Sequence, residues 1–104
     1  MIYKIKNDEH ALTIMLKGNL TFTDYGTFSQ ILDAIAKNKE KECIIDLDEL
    51  DHIDSAGLGM LILCKERIEN DNKQIVLKHA KGQVSKMLEL GKFNEIFDIR
   101  FTKD

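Results

Sequence analysis

The sequence predicts an α/β domain with a mixed, mostly parallel sheet, and three observations carry that expectation. Residues 2–6 and 11–17 are short strand-like runs separated only by the polar Asn7-Asp8-Glu9-His10, which is the pattern of an N-terminal antiparallel hairpin. After Asp24, segments of helical period alternate with short apolar runs, which implies parallel neighbours joined by right-handed crossovers with helices packed on the sheet. The length, 104 residues, suits one domain over 1–104 with a single modest core.

Each element follows from its local pattern. In the second strand Leu12, Ile14 and Leu16 share a face, and Gly18-Asn19 reads as its end. Residues 20–24 lead into a helix capped by Thr23 or Asp24, whose buried side is Phe28, Ile31, Leu32 and Ile35 at helical spacing. Residues 37–42 form a charged turn. The block 43–47 has the length and composition of a strand buried on both faces. Residues 48–54 read as an acidic turn anchored by Leu50 and Ile53.

A helix over 56–68 follows, with Leu61, Cys64 and Ile68 on one side and Glu66, Arg67 and Asn70 opposite. Leu63 falls on that polar side and Met60 at its boundary. Residues 70–73 are a turn, 74–79 a strand, and 82–90 a third helix using Val84, Met87 and Leu88. Phe93, Ile96 and Phe97 make an apolar turn before an extended end at 99–101.

Composition narrows the function classes. Hydrophobic residues at 43% and charged residues at 32% are ordinary for a water-soluble domain. A net charge of −3, with no basic stripe or aromatic platform, argues against nucleic acid as a partner. No apolar run approaches 18 residues and no secretory signal is visible, so neither membrane insertion nor export is expected. Cys43 and Cys64 fall in predicted core elements, which suits two reduced thiols in a cytoplasmic protein. His10, in a polar turn, is most simply a solvated residue; no cofactor and no metal site is expected.

The candidate functional residue is Ser55, between the acidic stretch and the helix. Its hydroxyl suits an N-cap, accepting from an amide of the first helical turn. Gly57 and Gly59 each cost a helix about 1 kcal/mol against alanine and therefore need a reason, close backbone approach being the usual one. Capping and packing alone would account for all three, so on spacing alone both a structural and a functional reading stand.

The run Asp54-Ser55-Ala56-Gly57-Leu58-Gly59, preceded by Ile44-Ile45-Asp46-Leu47 and followed by Met60-Leu61, resembles the signature of STAS domains, the anti-sigma factor antagonists of bacterial partner-switching pathways. The order of elements along nearly the whole chain is also similar to the STAS fold. The resemblance implies that Ser55 is phosphorylated by a serine kinase of the anti-sigma factor type and dephosphorylated by a PP2C-type phosphatase. It implies a binding module and not an enzyme, whose partner surface gathers Asp54, Ser55, Ala56, Gly57, Leu58, Gly59, Met60 and Leu63 with Thr21, Thr23 and Asp24 of the neighbouring loop. Residues 86–99, KMLELGKFNEIFDI, look like the end of STAS proteins that regulate biofilm and polysaccharide pathways in Gram-negative bacteria. Sporulation-type antagonists usually carry a further C-terminal helix; this chain is read to stop at Asp104 without one.

Two catalytic readings compete with this. A serine hydrolase would want Gly-x-Ser-x-Gly between strand and helix, but Ile53 stands two residues before Ser55. His52 lies in the same stretch, and His10 and His79 have no evident route to the serine. There is also no phosphate-cradling glycine loop with its lysine. Asp46, Asp48, Asp51 and Asp54 suggest a receiver that takes phosphate on aspartate. That arrangement needs an acidic pair after the first strand, where this chain has Lys6-Asn7. The acids are read as a solvated turn.

Overall fold

The hairpin forms as its alternation demands: β1 (Ile2–Asn7) pairs antiparallel with β2 (Ala11–Leu20), setting Tyr3 opposite Leu16 and Ile5 opposite Ile14. The computed structural model of the chain describes residues 1–7, 10–70 and 72–100. Asp8 and Glu9 of the expected turn, Asp71 of the expected 70–73 turn, and Phe101 of the expected extended end lie outside the described residues.

From β2 onward the pairing is parallel. β2 lies beside β3 (Glu42–Ile53), β3 beside β4 (Gln74–Lys78), and β4 beside β5 (Asp98–Arg100), giving a sheet of order β1-β2-β3-β4-β5. The crossovers carry α1 (Tyr25–Lys37), α2 (Ser55–Asn70) and α3 (Gly82–Leu90). Leu12, Ile14 and Leu16 of β2, Cys43, Ile45 and Leu47 of β3, and Ile75 and Leu77 of β4 line one face of the sheet. They join Phe28, Ile31 and Ile35 of α1, Leu61, Cys64 and Ile68 of α2, and Val84 and Leu88 of α3 in one apolar cluster. Fully burying each such side chain contributes about 1.5–3 kcal/mol. Phe93 and Phe97 close the far end, stacked with ring centroids 5.4 Å apart.

Two strand boundaries differ from the sequence reading, each for a physical reason. β2 does not end at Gly18-Asn19 but runs to Leu20, because Gly18 takes φ +95° at a register shift that a side-chain-bearing residue would resist. β3 is twelve residues long and not five, so the acidic stretch is strand and not turn. Between the pairs Met15–Asp46 and Lys17–Glu49, and again between Gly18–Leu50 and Asn19–His52, β3 carries one residue more than β2. These two bulges change the buried spacing from Cys43, Ile45, Leu47 to Leu50, Ile53, a step of three that no longer looks like a strand. The Asp48 N–H donates to its own neighbour's carboxylate, Asp46 Oδ1, at 3.0 Å within the first bulge. The start of α1 is where the sequence places it: Tyr25 is its first residue and Asp24, one of the two expected caps, holds the N-cap position, after a 3-10 turn, Phe22–Asp24, that has its own cap in Thr21.

At the other end of α1, Lys73 Nζ donates to the carbonyl of Asn38 and to that of Ile35, which also accepts from the Asn38 N–H at 3.2 Å, so the helix terminus is well covered.

Candidate functional site

Ser55 is the first residue of α2, and it is exposed. A single residue, Asp54, joins it to β3. The expected role of Ser55 as the N-cap is corrected by the hydrogen bonds: the Gly57 N–H donates to Asp54 Oδ1 at 2.7 Å and the Leu58 N–H to the Asp54 carbonyl at 3.0 Å. Asp54 is therefore the cap. A carboxylate one position earlier reaches the N3 amide with the geometry and the charge that the helix terminus favours, which displaces the hydroxyl from that task.

Asp54 also ties the helix to its neighbours. Its N–H donates to the Leu20 carbonyl at 3.2 Å, and its second carboxylate oxygen accepts from the Phe22 N–H at 3.2 Å. The loop after β2 is thus fastened beside the start of α2, as the sequence reading expected of residues 20–24. Within that loop the Thr21 N–H donates to Asp24 Oδ2 at 2.8 Å, the Asp24 N–H returns to the Thr21 carbonyl at 2.9 Å, and the Thr21 and Thr23 hydroxyls lie 3.0 Å apart. The ammonium of Met1 sits 3.0 Å from Asp24 Oδ1. Burial pushes the Asp24 carboxyl up, but the Thr21 N–H, the ammonium and the Thr21 hydroxyl together outweigh it and hold it below the usual carboxylate range.

The residues expected around Ser55 divide by exposure. Ala56, Leu58 and Gly59 are half-buried, Leu63 is 40% exposed, and Phe22 and Tyr25 present rings 71% and 60% exposed. Gly57 and Met60 are buried. For Gly57 the reason is contact: a Cβ would stand 2.6 Å from the Leu20 carbonyl oxygen and 2.6 Å from Ile53 Cγ1. Around Gly59 such an atom would meet nothing within 4 Å. The placement of Met60 on the border of the polar side is corrected: it is 3% exposed and belongs to the core cluster, because α2 packs on α1 as well as on the sheet and its buried stripe is correspondingly wide. The sequence reading does not single out Phe22 and Tyr25; aromatic residues flanking an expected cap are the signal that could have found them.

The acids of β3 do not form a solvated turn. Asp46 Oδ1 lies 3.1 Å from His79 Nδ1, and Asp48 Oδ1 lies 4.0 Å from Lys81 Nζ. His52 is exposed in the strand ladder opposite Asn19. Burial, with a smaller push from Glu42 against the pull of Lys73, raises the Cys43 thiol to about 12, and burial raises Cys64 further still. Neither supplies a thiolate nucleophile near neutral pH. Among the described residues no helix is long and apolar enough to cross a membrane.

Against known proteins, residues 4–99 match the family described as Mlab, STAS domain. A STAS-domain containing protein of Pseudomonas aeruginosa (strain UCBPP-PA14) is 29% identical over 92 residues, covering 88% of this chain and 90% of that one. Among solved structures, an anti-sigma factor antagonist from Mycobacterium paratuberculosis superposes with a TM-score of 0.86 at 14% identity, over 99% of this chain and 87% of the other. The anti-sigma factor antagonist SpoIIAA in its unphosphorylated form gives a TM-score of 0.73 at 15% identity, over 99% and 90% of the two chains. The Bacillus protein in its phosphorylated form gives 0.73 at 16%, over 98% and 93%.

Proposed function

The chain belongs to the STAS domain family, and we propose that it works in a partner-switching pathway as a binding module controlled by phosphorylation of Ser55. Unphosphorylated, it binds a serine kinase of the anti-sigma factor type; phosphorylation releases it, and a PP2C-type phosphatase resets it. The observation that carries this reading is the division of labour at the start of α2, where Asp54 caps the helix and leaves the exposed Ser55 hydroxyl unneeded for the fold. That SpoIIAA, which shares the fold, exists in both forms supports the reading.

The energetics favour a switch. A phosphate adds about −1.5 to −2 charges near pH 7. At a helix N-terminus the dipole favours such charge by about 0.3–1 kcal/mol, so the folded domain tolerates it. A partner covering Ser55 does not, because desolvating a dianion beside the Asp54 carboxylate costs several kcal/mol. A penalty of about 4 kcal/mol weakens binding roughly a thousandfold. The contact surface in this reading comprises Asp54, Ser55, Ala56, Leu58, Gly59 and Leu63, with Thr21, Thr23 and Asp24 and the exposed rings of Phe22 and Tyr25.

The test is phosphorylation with ATP and a kinase-containing extract of the native cell, read by intact mass and site mapping. One phosphoryl group, about 80 Da, is expected on Ser55 and absent from Ser55→Ala. Phosphate on Ser29, Ser85 or a threonine with Ser55 unmodified would remove the basis of the reading. Capture with wild-type and Ser55→Glu baits then identifies the partner that only the first retains.

A further inference from the structure

Past Asp46 the central strand loses its partner on one side. β4 pairs with β3 only from Glu42 to Asp46, whereas β2 accompanies it to Ile53. From Asp46, the last paired residue, along this one-sided stretch, the segment between β4 and α3 together with the first turn of α3 supplies side chains where a strand would supply backbone. His79 meets Asp46, Lys81 approaches Asp48, and Gln83 takes both groups of Ile53. The three are alternate residues, 79, 81 and 83, so they read as rungs laid along the strand edge.

The rungs differ in strength. The Lys81–Asp48 pair, at 4.0 Å with the lysine 59% exposed, is well solvated and contributes little. Gln83 is different. Its Oε1 accepts from the Ile53 N–H at 2.9 Å and its Nε2 donates to the Ile53 carbonyl at 2.8 Å, so one primary amide reproduces the two-bond exchange of a strand pair. Because the next N–H, that of Asp54, turns toward Leu20, the Ile53 groups face away from β2, into the place β4 has vacated.

We propose that Gln83 is the positioning residue of the Ser55 site: by holding Ile53 it fixes Asp54, and through Asp54 the start of α2 and the loop at Phe22. The proposal rests on the reading of Ser55 as the phosphorylated residue and adds the residue that aims it. Without the Gln83 amide the last residue of β3 loses its second partner, and the Asp54 carboxylate no longer presents fixed oxygens to Gly57 and Phe22.

Two variants test it. Gln83→Met keeps the stem and can make neither bond; Gln83→Glu keeps an acceptor for the Ile53 N–H. Amide hydrogen exchange by NMR is read at Ile53, Gly57 and Phe22, with the ladder around Ile14 and Ile45 as the internal reference. In Gln83→Met, exchange at all three is expected to rise at least tenfold with the reference unchanged, and Gln83→Glu should fall between it and wild type at Ile53. Acceleration of Ile53 alone, or of the reference equally, would overturn the proposal. The functional arm is the rate of Ser55 phosphorylation by the kinase that labels wild type. Gln83→Met should lower kcat about tenfold with KM for the protein within a factor of two, and an unchanged kcat beside accelerated exchange would also overturn the proposal. If wild type itself takes no phosphate on Ser55, the functional reading fails, while the exchange arm still decides whether Gln83 holds the start of α2.

Discussion

The two faces of α2 answer to different demands. The inward face, Gly57, Met60, Leu61, Cys64 and Ile68, is buried throughout, and packing accounts for every residue on it. The outward face begins with an exposed serine, continues through a glycine with open space around its Cα, and reaches a leucine that stands 40% in water. Nothing in the fold asks for these three. Gly59 weakens the helix by about 1 kcal/mol relative to alanine, and Leu63 forgoes part of the benefit of burial. Residues that cost the fold something and return nothing within it mark where a partner is expected to act.

The largest expected effect comes from putting a charge on either face. Met60→Glu places a carboxylate in the core cluster with no partner and should cost more than about 4 kcal/mol, enough to unfold much of a marginal domain. Leu63→Glu should leave the thermal midpoint nearly unchanged and weaken binding of the partner retained by the wild-type bait at least tenfold, about 1.4 kcal/mol. The pair is read by thermal unfolding beside titration. Equal loss of stability in both variants would erase the distinction between the faces, and a folded Leu63→Glu with unaltered affinity would place the partner elsewhere.

The glycines repeat the comparison at smaller scale. Gly57→Ala sets a methyl 2.6 Å from the Leu20 carbonyl oxygen, which cannot withdraw easily because it also holds the Asp54 N–H. The expected cost is about 1–3 kcal/mol. Gly59→Ala meets nothing and should gain up to about 1 kcal/mol, raising the midpoint by several degrees in a domain of this size. If the bare backbone at Gly59 is part of the docking surface, this more stable protein binds its partner less well. A Gly59→Ala that is stabilised and binds as wild type does would restrict the surface to side chains.

How far the sequence could be read depended on whether a pattern kept its period. The hairpin and the three helices are legible because apolar residues recur every second or every third and fourth position, and one buried face enforces that recurrence. The early part of β3 is legible as a strand from its length and apolar composition, but it buries only the face of Cys43, Ile45 and Leu47 and not both faces as expected. The second half of β3 is not legible, because two bulges shift Leu50 and Ile53 to a step of three, and acidic residues in such a run imitate a turn. Met60 was misplaced because a single helix wheel knows one neighbour, whereas α2 has both the sheet and α1. Ser55 stands at the strand-to-helix junction where its motif sets it. The cap was assigned one residue late, since Asp54 and Ser55 are both good caps and only the geometry of the strand end decides between them. Gln83 had no signal at all: a glutamine early in a helix is commonplace until the strand edge it covers is known.

The last comparison separates those two neighbouring residues, and the smallest expected effect is on its Ser55 side. Asp54→Ala removes the acceptor for the Gly57 N–H and, with it, the bridge to Phe22, so a loss of about 0.5–2 kcal/mol is expected, at the upper end because both bonds go together. Ser55→Ala removes an exposed hydroxyl from the first helical position and substitutes a better helix former, so stability should stay within about 0.5 kcal/mol of wild type. Urea unfolding of the two variants, with the slopes compared so that only midpoints are interpreted, measures the difference. The consequence reaches the switch. If the carboxylate carries the fold and the hydroxyl carries only the signal, phosphate can be added and removed at Ser55 without helix α2 being rebuilt each time. Should Ser55→Ala prove the more costly of the two, the hydroxyl is the working cap after all, and modifying it would disturb the helix it begins.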